Sequence, residues 1–328
     1  MREHKRINLN LPRQIIAAEC ADSWSSGAYT SSIFIPDVTE LLRIFEEINP
    51  HKGKKGHISK NILFMKLITE GIKAAPRLNA QVNFHRRRAV GNVTLLPNID
   101  ISIAMWNEFD TIIPRFPDFG SRSMNDMADY ISDFRRRQAN TDVDKVLNDL
   151  RIWHTLHEFK RRPFTSIARI FGAIDPRYRP EVKSKKGKNI GQKNCENIEL
   201  STEKANGQAN GQANGQTNGK YGDVLTIDDF KPGTILITNP GSLTNHSIML
   251  TGMFEIIPQT TAGIAIGPVY EQPVFVNGTI AAHKFLPLCI VANHYAVDYG
   301  DEAPFIHRVE ELCSSPEIIR SWITTDEV

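Results

Sequence analysis

His294 sits at the end of the apolar run Leu286-Pro287-Leu288-Cys289-Ile290-Val291-Ala292-Asn293, and Asp298 follows four residues later, with Gly300 close behind. Histidine is the side chain whose ordinary pKa suits taking and returning a proton near neutrality. An apolar strand ending in His-x-x-x-Asp can hold one imidazole rigidly at its end. A lone histidine so placed is more often structural than catalytic, so any chemistry has to be argued from the company it keeps. The four cysteines, Cys20, Cys195, Cys289 and Cys313, stand far apart and show neither metal-ligand spacing nor a disulfide framework. His154 and His157 are three apart on one helical face, a spacing metal ligands use, but no third ligand accompanies them, so no metal is expected.

The elements that must position His294 begin just after it. Residues 301–313 read as a helix, with Ala303, Phe305, Ile306, Val309 and Leu312 at helical spacing. Near the start, Pro12-Arg13 opens a helix running to about Trp24, since proline is favoured just inside a helix. A strand over residues 30–35 precedes a helix to Ile48, for which Asp37 is the expected N-cap. The helix from Ser59 is apolar almost all round and is expected to be buried. Residues 81–84 and 94–96 form a hairpin around Arg86-Arg87-Arg88. Strands follow at 99–105 and 111–114, then helices from Ser123 to about Ala139, from Asp142 to Phe159, and on to Ile174.

Downstream, 234–238 is a strand ending at the turn Asn239-Pro240-Gly241. Further strands cover 261–266, 273–276 and 279–285, with Asn277-Gly278 marking a tight hairpin. Residues 180–222 change character: a basic stretch gives way to repeated Ala-Asn-Gly-Gln, too polar to repay the entropy of ordering, and read as a disordered linker. The expected fold class is α+β, with a mixed or antiparallel sheet.

At 328 residues with 41% apolar side chains, the chain can bury a sizeable core. Its formal net charge of +2 gives no global reason to expect nucleic acid or an anionic membrane as partner. Arg86-Arg87-Arg88 and Arg135-Arg136-Arg137 lack interleaved aromatics and read as solvated faces. Asp118-Phe119-Gly120 copies a kinase metal motif without its companion loops and is set aside. With no signal peptide and no apolar run of membrane length, a cytoplasmic protein is expected.

Five pieces, in order, then carry a likeness. Pro12-Arg13-Gln14-Ile15-Ile16-Ala17 opens the first helix. Pro76-Arg77-Leu78-Asn79 closes another. Gly233-Thr234-Ile235-Leu236-Ile237-Thr238-Asn239-Pro240-Gly241 forms a strand and turn. Ala262-Gly263-Ile264-Ala265-Ile266-Gly267 leads to Gln272-Pro273-Val274, and the His294 stretch completes the set. The chain thereby resembles the catalytic domain of the dihydrolipoamide acyltransferases of 2-oxo acid dehydrogenase complexes, and more broadly the chloramphenicol acetyltransferase superfamily. The resemblance covers about 1–140 and 223–315.

It implies a two-layer α/β sandwich with a mixed sheet and helices on one face, a single acyltransferase-like domain over 1–328 with 180–222 inserted, and a homotrimer or an assembly of trimers. It implies acyl transfer between coenzyme A and a lipoyl-type thiol, with His294 as base, Thr238 as oxyanion donor, Asp298 as a structural aspartate paired with Arg13, and Asn239 in support. Coenzyme A or acyl-CoA would be a substrate, and the lipoyl group would come on a separate carrier protein or with dehydrogenase subunits. No metal, nucleic acid or membrane is implied. Where the family pattern has glycine after the aspartate, this chain has Tyr299, with Gly300 one place later; a tyrosine forced to positive φ there would be strained. That change motivates a second reading, an inactive scaffold of the same fold; a small-molecule O-acetyltransferase is a third.

Overall fold

The computed structural model describes residues 8–49, 57–107, 110–159, 163–174, 222–243 and 252–323. Most of the expected linker, with its basic stretch 183–188, and Cys195 lie outside them. In chain order the elements are α1 (Leu11–Ser26), β1 (Tyr29–Phe34), α2 (Thr39–Ile48), α3 (Lys60–Ala74), β2 (Ala80–His85), β3 (Val90–Leu95), β4 (Ile101–Ile103), β5 (Met105–Asn107), β6 (Asp110–Ile112) and β7 (Arg115–Phe116). They continue with α4 (Met124–Ala139), α5 (Val143–Glu158), α6 (Pro163–Ile174), β8 (Ile235–Thr238), β9 (Ala262–Ile266), β10 (Tyr270–Val276), β11 (Thr279–Phe285), β12 (Leu288–Asn293) and α7 (Tyr299–Ser314).

Helix starts follow side-chain caps. Asn10, Ser59, Ser123 and Asp142 each accept a backbone N–H from the first turn of α1, α3, α4 and α5. The expected cap at Asp37 is displaced. Val38 holds the N-cap position of α2, and Asp37 accepts the Thr39 N–H at 2.9 Å from one residue further out.

Six strands form one mixed sheet in the order β1-β12-β9-β8-β4-β7. β12 runs antiparallel to β1 and β9, while β9, β8 and β4 are mutually parallel. The pleat sorts their side chains. Ile235, Ile237, Ile264, Ile266, Leu288 and Ile290 face one way and share a core with α2, α3 and α7. Leu236, Thr238, Ala265, Cys289, Val291 and Asn293 face the other, where Ala265, Cys289 and Val291 pack with Ile256. α1 and α5 reach this second side too, since Ile15, Cys20, Leu147 and Leu236 line one small cavity there.

Two local expectations are corrected. The run Arg135-Arg136-Arg137 is not simply a solvated face, because Arg137 is buried and held by Asp133 at 2.9 Å and Asp229 at 2.8 Å. The helical stretch expected from Asp142 on to Ile174 is described as two helices, α5 and α6, with Pro163 at the first position of α6 where its missing N–H costs nothing.

Between α1, α5 and α6 lies a cavity of about 850 Å³. Glu19 lines it with its carboxyl pushed up to about 7, first by burial and then by Asp22. The folded state therefore binds this proton more tightly than the unfolded chain, whose value is near 4.5. The stability it allows is complete below about 4.5 and is lost as pH rises through about 7. Glu19→Gln is expected to raise Tm at pH 8 and to change it little at pH 4.5, measured by thermal unfolding. An equal gain at both values would contradict a titrating Glu19.

Candidate active site

The path to His294 begins in the turn after α3. Asn79 donates from Nδ2 to the carbonyls of Leu96 and Asn98 at 3.0 and 2.9 Å, fixing the chain as it enters β2. The next residue, Ala80, exchanges hydrogen bonds with Thr261, and the Thr261 carbonyl accepts the Asn293 N–H at 2.8 Å. On the other side of β12, the His294 N–H donates to the carbonyl of Ala28, between α1 and β1.

Asn293 then organises the turn. Its carbonyl accepts from Ala296 and Val297, and its Oδ1 accepts the Tyr295 N–H at 3.2 Å. Its side chain is fully buried against Gly27, where an added Cβ would lie 2.5 Å from Nδ2. Gly27 is extended, at φ −153°, so its need for glycine is one of space alone. Gly27→Val is expected to push Asn293 aside and misplace His294, lowering kcat by at least tenfold while costing about 1–3 kcal/mol of stability. Paired kinetics and thermal unfolding would check this, and unchanged kcat would remove Asn293 from the positioning argument.

The His294 ring is exposed, and its Nδ1 lies 3.1 Å from the carbonyl of Val297. A carbonyl can only accept, so Nδ1 carries the proton and Nε2 presents a lone pair outward. Beneath it Val297 is buried, and Tyr295 packs on Phe84 with ring centroids 4.9 Å apart.

Asp298 caps α7: its side chain accepts the Tyr299 N–H at 2.7 Å, and Asp301 reaches back to the Asp298 N–H at 3.0 Å. Tyr299 is thus the first residue of a helix, and positive φ is not its conformation. The expected strain disappears because the helix starts where the pattern has a turn glycine. Arg13 stands in the first turn of α1, roughly 20 Å by helix rise from the end that leads to Ala28 and His294.

Thr238 lies at the other end of the sheet. It is half-buried at the last position of β8, before a turn in which Asn239 Oδ1 accepts the Ser242 N–H at 3.2 Å and Asn239 Nδ2 donates to Asn61 at 2.8 Å. Gly241 approaches the Gly267-Pro268 backbone so closely that a Cβ would meet it at 2.3 Å. Thr238 pairs with Ala265, and Ala265 with Cys289. His294 is five residues beyond Cys289, roughly 17 Å along the strands and two strand spacings, about 10 Å, across them. One copy of the chain cannot bring these two side chains onto one reacting group.

One further group near the His294 turn was not visible in the sequence. Glu302 is buried under the start of α7, accepts the Ser32 hydroxyl at 2.6 Å, and has its carboxyl raised chiefly by burial. His157 stacks on Trp153 at 4.9 Å, and His154 faces Glu19 at 3.5 Å. Among the described residues no group of three or more histidine, cysteine or acidic side chains is arranged to hold a metal. Among them, too, no helix is long and apolar enough to cross a membrane.

The sequence profile of the family described as 2-oxoacid dehydrogenases acyltransferase (catalytic domain) matches residues 1–145 and 211–320. No curated protein matches the chain in sequence. In fold the chain is similar to a probable dihydrolipoamide acetyltransferase from Listeria monocytogenes, with TM-score 0.59 and 15% identity over 99% of this chain and 97% of that one. It is similar as well to the dihydrolipoamide acetyltransferase of Azotobacter vinelandii, at TM-score 0.59 and 13% identity over 97% and 94%. A truncated catalytic core of the 2-oxoacid dehydrogenase multienzyme complex from Thermoplasma acidophilum gives TM-score 0.56 and 15% identity over 96% and 100%.

Proposed function

The chain belongs to the family of 2-oxoacid dehydrogenase acyltransferase catalytic domains, whose chemistry is CoA-dependent acyl transfer, and we propose that it moves an acyl group between coenzyme A and a lipoyl-type thiol at a site shared by two subunits. The observation that carries this reading is the sheet register. Thr238 and His294 sit at opposite ends of the sheet, so the histidine of one copy and the threonine of a neighbour supply the two halves.

Each half fits its task. Nε2 of His294 takes the proton of the coenzyme A thiol, which at a pKa of about 8.5 is only partly ionised at neutral pH. The thiolate adds to the carbonyl carbon of the acyl-lipoyl thioester, and the neighbour's Thr238 hydroxyl donates to the oxyanion. The carbon–sulfur bond to the lipoyl group then breaks, and the imidazolium returns its proton to that sulfur. Asp298 holds the turn as a helix cap, and Asn239 shapes the turn after Thr238. The Azotobacter vinelandii structure was determined to test roles of a serine, a histidine and an asparagine in that enzyme's mechanism. Thr238 and His294 offer the same hydroxyl and imidazole chemistry.

On this reading the chain is a single catalytic domain that works as a trimer or an assembly of trimers in the cytoplasm and accepts its acyl group from a separate lipoyl carrier. The scaffold alternative loses its structural motive, because Tyr299 starts a helix without strain. Purified protein mixed with acetyl-CoA and dihydrolipoamide should form acetyl-dihydrolipoamide and free coenzyme A. A panel of acyl-CoAs and of alcohol and amine acceptors separates lipoyl-type transfer from small-molecule O-acetylation, and no turnover with any pair would favour the scaffold.

A further inference from the structure

α6 is built inside out. Ser166 is buried and Arg169 turns inward to an ion pair with Asp22, while Phe164 is 86% and Phe171 65% exposed. Ile167 and Ile170 are exposed beside them. At helical spacing Phe164, Ile167 and Phe171 occupy an arc of roughly 60° on the side away from Ser166 and Arg169, and Ile170 borders the cavity beside them. α5 packs against α6, and its Ile152 and Leu156, exposed too, line the cavity between the two helices and α1. A helix on a protein core turns its apolar arc inward; this one turns it out. Nearly all of α5 and the whole of α6 fall outside the residues matched by the family profile.

The sequence around the helix gives the sign of what the face meets. From 160 to 188 ten lysines and arginines stand against Asp175 and Glu181, a net charge of +8 in a chain whose total is +2. The remainder is therefore at −6, and the near-neutral total conceals a strongly basic region. Within α6 the one charged side chain is Arg169, turned inward, so the outer arc itself carries no charge. An exposed phenylalanine-bearing arc in a basic stretch has the composition of a helix lying in the plane of a membrane interface. A nucleic acid duplex would satisfy the cations and leave two phenyl rings in water, and a single strand could stack on the rings but would leave Ile167 exposed; an anionic lipid surface takes the cations, the rings and the isoleucine.

We propose that α6 docks this protein on anionic lipid, with Phe164, Ile167 and Phe171 entering the boundary between headgroups and acyl chains. The helix lies on the surface and does not cross it.

The test uses the full chain in sedimentation with vesicles of phosphatidylcholine alone and with about a quarter phosphatidylglycerol added. Binding to the anionic vesicles should be at least tenfold tighter than to the neutral ones and should weaken as salt is raised. Phe164→Glu with Phe171→Glu, and separately Phe164→Ser with Phe171→Ser, should each lower that binding by at least tenfold, with acyl transfer, thermal unfolding and oligomer mass unchanged. No preference for anionic vesicles, or wild-type binding by either double variant, would overturn the proposal. A fall in oligomer mass for both variants would instead assign the face to a second copy of this chain.

Discussion

His294→Ala is expected to lower kcat for acyl transfer by about 10²- to 10⁴-fold, the usual cost of losing a positioned general base. The imidazole reaches solvent, so its removal leaves no buried void, and the turn keeps the Asn293 hydrogen bonds and the Asp298 cap, losing only the one bond from His294 Nδ1 to the Val297 carbonyl. Stability should therefore change by no more than about 0.5 kcal/mol, as for other exposed substitutions. KM for acetyl-CoA should stay close to the wild-type value, because the lost interaction belongs to proton transfer rather than to holding the substrate. Steady-state kinetics with acetyl-CoA and dihydrolipoamide would check both quantities. Turnover unchanged by the substitution would sink the role of His294, whereas a matched fall in kcat and Tm would make the residue structural.

What was legible in the sequence follows from how local each signal is. The strand before His294, the Asn277-Gly278 hairpin and the capped starts of α3, α4 and α5 depend on neighbours a few residues apart, and all are present. The supports of the His294 turn are not local. Thr261, Ala28 and Gly27 meet Asn293 and His294 through strand pairing across more than thirty residues, and nothing in their own identity announces it. Tyr299 misled because the pattern was read as a turn needing positive φ, while the Asp298–Asp301 capping box begins a helix there. Arg137 misled for a related reason: a run of arginines looks solvated until its acidic partners at 133 and 229 are brought alongside. The whole-chain charge hid the basic region around α6 in the same way, because averaging removes the local excess that a surface would feel.

Thr238→Ala is expected to cost about 10²- to 10³-fold in kcat, the range for removing one oxyanion donor. Its sharper use is in combination. The register places Thr238 and His294 at opposite ends of one sheet, so each site would take its histidine and its hydroxyl from different copies. In a closed ring of head-to-tail contacts, every site pairs one subunit with the next. If Thr238→Ala and His294→Ala chains are co-expressed in equal amounts and mix at random, the histidine donor is intact in half of the sites and the threonine donor independently in half. About a quarter of the sites are then wholly wild type, and the mixed protein should recover about a quarter of wild-type kcat although each parent is nearly inactive. Were the two residues to act within one chain, every site would carry a lesion and the mixture would be as inactive as its parents. That result would leave both residues as candidates and remove the shared site, and with it the assignment of the two halves to different copies, from the mechanism.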